Sequence, residues 1–220
     1  MNKYLFMQPV LNLISEGTLF TRIFATALRT LAVFLGIGAL IAWLQIWRVV
    51  FYMQGVAILA GFICQLLSVV GVYMVVHTVW IRAGNIYAIG KSDFTVLPIV
   101  SIFLRMIGEV YACASVVLGL SGGIMLLFSG SDFLYAYPNI PMLGIGWQYS
   151  LLSGLFGGNS ASSFIDALIA VVSGAFGAIF WLGASYFMSE SLIVQVEIAR
   201  NTRVVRNIAE NFRVNENEDV

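Results

Sequence analysis

The stretch from Pro98 to Phe128 most limits what this chain can become. It is long and apolar enough to cross a bilayer, yet it carries Arg105 and Glu109. About 20 apolar residues span the hydrocarbon core, and a charged side chain at the centre of a membrane helix costs roughly 2.5–3.5 kcal/mol. Arg105 and Glu109 stand at i and i+4, so one helix face carries both and brings them within pairing distance. The spacing allows an ion pair, on a face turned into protein or towards water rather than lipid.

Three further apolar stretches read the same way. The first span is 31–50, with Trp43 and Trp47 towards its far end, where an interfacial aromatic belt belongs. Arg48, Tyr52 and Gln54 mark a short turn. The second span, 55–81, holds the single histidine, His77, and ends on Trp80 and Arg82. Residues 82–97 are polar and return the chain. Pro98 suits the first turn of the third span, where its missing N–H has no partner to lose. Ser163 and Asp166 have capping-box spacing ahead of a fourth span over 164–188. The expected fold class is therefore all-α: a polytopic membrane protein with four transmembrane helices. Only 10% of the residues are charged and 60% are hydrophobic, against about 25% charged in soluble domains.

Both ends are expected to carry amphipathic helices. In residues 8–29, Val10, Leu13, Ile14, Phe20, Phe24, Ala27 and Leu28 recur at helical spacing, and Asn12, Ser15, Glu16, Arg22 and Arg29 largely occupy other faces. Such a segment lies in the headgroup plane or packs under the bundle, and its place directly before a span favours the plane. Beyond Ser189, Val194, Ile198, Val205, Ile208, Ala209 and Phe212 gather on one face. Arg200, Arg203, Arg206 and Arg213 form a basic face. Heptad spacing relates Ile198, Val205 and Phe212, and also Val194, Asn201 and Ile208, over fewer than three clean heptads. The expected organisation is an N-terminal segment over 1–29, a membrane domain over 30–188, a helix over 189–214 and an acidic tail over 215–220.

The connection 129–163 has no Lys or Arg and one acid, Asp132, but Phe133, Tyr135, Tyr137, Trp147, Tyr149 and Phe156 stud it. It reads as interfacial, re-entrant or a subunit contact, since apolar patches of that size mark contacts. The basic residues set the threading. Lys3, Arg22, Arg29, Arg82, Lys91, Arg105, Arg200, Arg203, Arg206 and Arg213 fall on one side, and of the 11 basic residues only Arg48 falls on the other. The positive-inside rule then places both termini in the cytoplasm and 129–163 outside. A bacterial inner (cytoplasmic) membrane is the expected location.

Two constellations bear on function. By depth from the cytoplasmic end, His77, Arg105 and Glu109 can form one intramembrane polar cluster. Such a cluster serves as a proton or ion relay or as an internal pair that locks helices, with the lock the expected role. In the fourth span, Ala170, Ser173, Gly174, Gly177 and Ala178 form a small-residue stripe that admits a close helix, from this chain or another copy. Gly122–Gly123 and Gly157–Gly158 are ordinary membrane glycines or breaks in helices. Cys64 and Cys113 lie inside spans without metal or redox spacing, and read as small core residues.

No nucleophile elbow, zinc motif or phosphate-binding loop occurs. The chain is expected to be no enzyme and to need no cofactor or metal. Zero net charge gives no case for nucleic acid. The partners expected are the lipid bilayer and other membrane subunits or copies of the chain itself. The leading function is a non-enzymatic subunit or scaffold of a larger membrane assembly, such as a bacterial envelope or secretion-type complex. The alternative is a small ion or solute channel or transporter that uses the Arg/Glu/His layer.

Overall fold

The computed structural model describes residues 18–89, 96–129 and 163–218, with side chains as far as Glu210. Residues 1–17, the aromatic connection and the end of the acidic tail lie outside that set, as do Lys91 and Gly157–Gly158. The described residues form four helices: α1 (Thr18–Tyr52), α2 (Ala57–Tyr87), α3 (Val96–Ser129) and α4 (Ser163–Glu218). All four are long and apolar enough to cross a membrane.

Each helix runs past the span read from sequence. At 1.5 Å per residue, α1 is about 52 Å long and α4 about 84 Å, against a hydrocarbon core of about 30 Å. Substantial packing joins α1 to α2, α2 to α3 and α3 to α4. The helices therefore stand in an antiparallel row in chain order. The α1–α2 turn places Gly55 at φ 60°, a left-handed conformation that glycine adopts without steric cost. Asp166 sits in the first turn of α4, while the Ser163 side chain of the expected capping box lies outside the described set.

Residues 18–29, the described part of the N-terminal segment, are helical. They are the first turns of α1, continuous with its span. Part of the apolar surface of those turns is buried against the other helices, while Phe20, Ile23 and Phe24 stay exposed. Ala25, Leu28 and Ala32 form one buried cluster with Val79, Ala83 and Ile86 of α2 and Ile99 and Met106 of α3. Arg29 is held there too, its guanidinium carbon 5.7 Å from the Trp80 ring centre and 5.8 Å from that of Tyr87. Such cation–π contacts contribute about 0.5–1 kcal/mol when exposed and more when dry.

At the other end of α1 and α2, Trp43 and Gln65 exchange hydrogen bonds. The Trp43 indole donates to the Gln65 carbonyl at 3.3 Å, and the Gln65 amide donates to the Trp43 carbonyl at 3.4 Å. Gln65 is otherwise fully buried, so these bonds offset the cost of placing an amide there. Trp47 packs against Phe51 and Phe62 beside it.

Candidate functional site

The polar groups of the membrane domain converge where α2, α3 and α4 meet near the end that holds Tyr87 and Val96. Arg82 comes from α2, Ser101, Arg105 and Glu109 from α3, and Tyr186 and Ser189 from α4. Arg82 engages both carboxylate oxygens of Glu109, with Nε to Oε2 at 2.8 Å and Nη2 to Oε1. This two-pronged geometry is the strongest form of a carboxylate pair. The Tyr186 hydroxyl donates to Glu109 Oε1 at 2.7 Å and accepts from Arg82 Nη2 at 3.3 Å.

Arg105 does not pair with Glu109, although the i, i+4 spacing allows it. Its Nε donates to Ser189 Oγ at 2.7 Å, and its guanidinium carbon lies 5.3 Å from the centre of the Tyr186 ring. Ser189 Oγ is also 2.7 Å from Ser101 Oγ. The reason is competition. An i, i+4 pair on one helix offers Glu109 a single flexible partner, worth about 0.2–0.5 kcal/mol on an isolated helix. Arg82 approaches from a neighbouring helix and satisfies both oxygens at once, which leaves Arg105 to turn towards α4. The Arg82 and Glu109 side chains are 20% and 18% exposed, so the pair is shielded without being sealed.

His77 stands apart from this cluster. Its ring stacks on Tyr73 of the same helix at 5.4 Å, and no described hydrogen bond or ion pair joins it to Arg105 or Glu109. The residues that complete the cluster are Arg82, Tyr186, Ser189 and Ser101. The sequence signal for the α4 pair was weak, since Tyr186 and Ser189 stand three residues apart beside Ser185, Glu190 and Ser191.

The chemistry open to this arrangement is narrow. Glu109 Oε1 accepts from Arg82 and Tyr186 and Oε2 from Arg82, which fills three of the roughly four lone-pair sites of a carboxylate. A recess of about 250 Å³ between α1, α2 and α3 is lined by Leu35, Val72, Val75 and Val117 and holds one polar side chain, Ser68. The Ser68 hydroxyl already donates to the Gln65 carbonyl at 2.7 Å. The recess is therefore apolar apart from one hydroxyl that is already engaged.

The small-residue stripe finds its partner within the chain. Ala170, Ser173, Gly174, Gly177 and Ala178 are all buried, and the surface that covers Gly174 is α3. A Cβ added to Gly174 would lie 2.6 Å from the Ser115 carbonyl oxygen and 2.7 Å from Gly119 Cα. One added to Gly119 would lie 2.7 Å from Gly174 Cα. The two backbones touch, and only glycine at both positions permits it. Tyr111 stacks on Trp181 at 5.0 Å farther along the same interface.

Arg200, Arg203 and Arg206 lie on the fully exposed part of α4, where Arg206 meets Glu210 at 3.5 Å. An exposed pair of this kind contributes well under about 1 kcal/mol. The Arg213 side chain lies outside the described residues.

Compared with protein-family models, curated proteins and solved structures, the chain matches none. The functional reading therefore rests on geometry alone.

Proposed function

We propose that this chain is a non-enzymatic integral membrane subunit or scaffold, docked to a larger membrane assembly through the far half of α4. One observation carries the reading. The helix continues unbroken from its span through Ser189 to Glu218, and its apolar residues there are open: Val194 is 52% exposed, Ile198 60%, Val205 65% and Ile208 50%. The 29 residues after Ser189 extend about 43 Å. A helix continuous with a membrane span points away from the bilayer, so lipid does not cover this face along its length. Exposed apolar residues in series mark a contact.

The polar cluster supports the same reading. Its charges meet partners on neighbouring helices, which is what a lock between helices requires. The threading that fits has both termini in the cytoplasm of a bacterial inner membrane, following the basic-residue asymmetry, and α4 then reaches into the cytoplasm. Extraction of native membranes in mild detergent, followed by sizing and mass spectrometry, tests the proposal. A defined complex larger than the lone chain is expected. A lone chain that conducts ions in liposomes would establish the channel or transporter reading in its place.

A further inference from the structure

We propose that two copies of this chain pair in parallel along the outward face of α4, and that the pairing seam runs from the membrane into the projecting helix. This rests on the reading of α4 as a docking element and names its partner.

The first argument is spacing. Val194, Ile198, Asn201, Val205 and Ile208 follow one another at intervals of four, three, four and three, the alternation that keeps a seam facing a partner helix. Arg200, Arg203 and Arg206 fall outside the seam. The second argument is orientation. Copies threaded identically through one bilayer point their α4 helices the same way, so a symmetric pair of these helices is parallel and in register. Each seam residue then meets its own counterpart.

The third argument is Asn201. A polar residue in an apolar seam is a poor fit to lipid or to an apolar groove. Facing its counterpart across a two-fold axis, its amide both donates and accepts.

The fourth argument is continuity with the membrane. Eighteen residues make five helical turns, so Phe176, Gly183 and Phe187 lie directly in line with Val194, Asn201 and Val205. Phe176 is 51% and Phe187 73% exposed, and a Cβ added to Gly183 would meet nothing within 4 Å. The seam therefore prolongs an uncovered ridge of the span, with a gap at Gly183 where a second helix can approach. Glu190 stands exposed on the same face between the two parts, so the seam is apolar on either side of it and not at that position. A seam this short is marginal in solution. Confinement to one bilayer raises the effective concentration of the second copy and supplies its orientation in advance.

The test is disulfide trapping in native membranes, on the full chain with Cys64 and Cys113 replaced by Ala. Single cysteines go at Ile198, Asn201, Val205 and Ile208, and at Arg200, Arg203 and Arg206. Mild oxidation should give a band of twice the chain mass at the four seam positions, at least five-fold stronger than at the three arginine positions. Val205→Asp should abolish trapping at position 198 while the membrane domain keeps its thermal midpoint, since Val205 touches no other helix. Equal trapping at seam and arginine positions overturns the proposal. So does the absence of a double-mass band, and if a band of other mass forms at seam positions instead, the subunit reading stands and only the self-pairing fails. A lone, untrapped chain in the sizing experiment defeats both.

Discussion

Glu109→Gln separates the observed lock from the pair that the sequence allows. The substitution keeps an oxygen that can accept from Tyr186 and from one Arg82 nitrogen. It removes the charge and the second prong of the Arg82 contact. Breaking a shielded ion pair from one side costs about 3–5 kcal/mol. With Arg82 a fifth exposed and near the end of α2, the loss should fall at the low end of that range, about 3 kcal/mol. Tryptophan fluorescence during denaturant unfolding in mixed micelles measures it, with Trp181 close to the cluster. Arg82→Leu with Glu109→Leu and Tyr186→Phe replaces the lock by apolar groups and should recover most of the loss. Arg105→Leu with Glu109→Leu should not recover, because Arg82 is left behind. In a double-mutant cycle, residues 82 and 109 should couple by more than about 1.5 kcal/mol and residues 105 and 109 by less than about 0.5 kcal/mol. A stronger coupling for 105 with 109 would refute the reasoning.

Gly174→Leu and Gly119→Leu should each prevent folding of the membrane domain, seen as loss of a monodisperse peak in gel filtration, whereas Ile179→Leu, at a 73% exposed position, should behave as the parent. Equal tolerance at positions 174 and 179 would remove the backbone contact from the account. Arg29→Ala should cost about 1 kcal/mol in the same unfolding assay, and Arg29→Lys less; no change would mean that the Trp80 and Tyr87 contacts contribute nothing. Cysteines placed at Ser131 or Asn159 should react with impermeant thiol reagents in intact cells, and one placed at Ser92 only after permeabilisation. Labelling at position 92 in intact cells would overturn the threading.

The four helices of the described residues were legible because runs of about 20 apolar residues admit few other outcomes. Their ends were not. Arg82 looked like the first residue of a polar return, because composition changes there, but α2 carries it inside for five further residues to Tyr87. That shift brings a cation to Glu109 and redistributes every contact in the cluster. Local spacing found Arg105 and Glu109 on one helix, but the choice between partners is made by neighbouring helices, which periodicity does not reach. The glycine stripe was legible as a close-packing surface, while its partner emerged only once Gly119 and Ser115 were seen against Gly174. Of the apolar residues in the N-terminal pattern, Leu28 is buried against α2 and α3, whereas Phe20 and Phe24 stay exposed.

Truncation of the chain after Glu190 tests the central claim most directly, because every described lock between helices lies before that point. The shortened protein should keep its thermal midpoint in detergent, and it should migrate as a lone chain where the full protein migrates in a complex. A truncated chain that still purifies within the complex would contradict the account, and would place the docking surface on the membrane helices themselves.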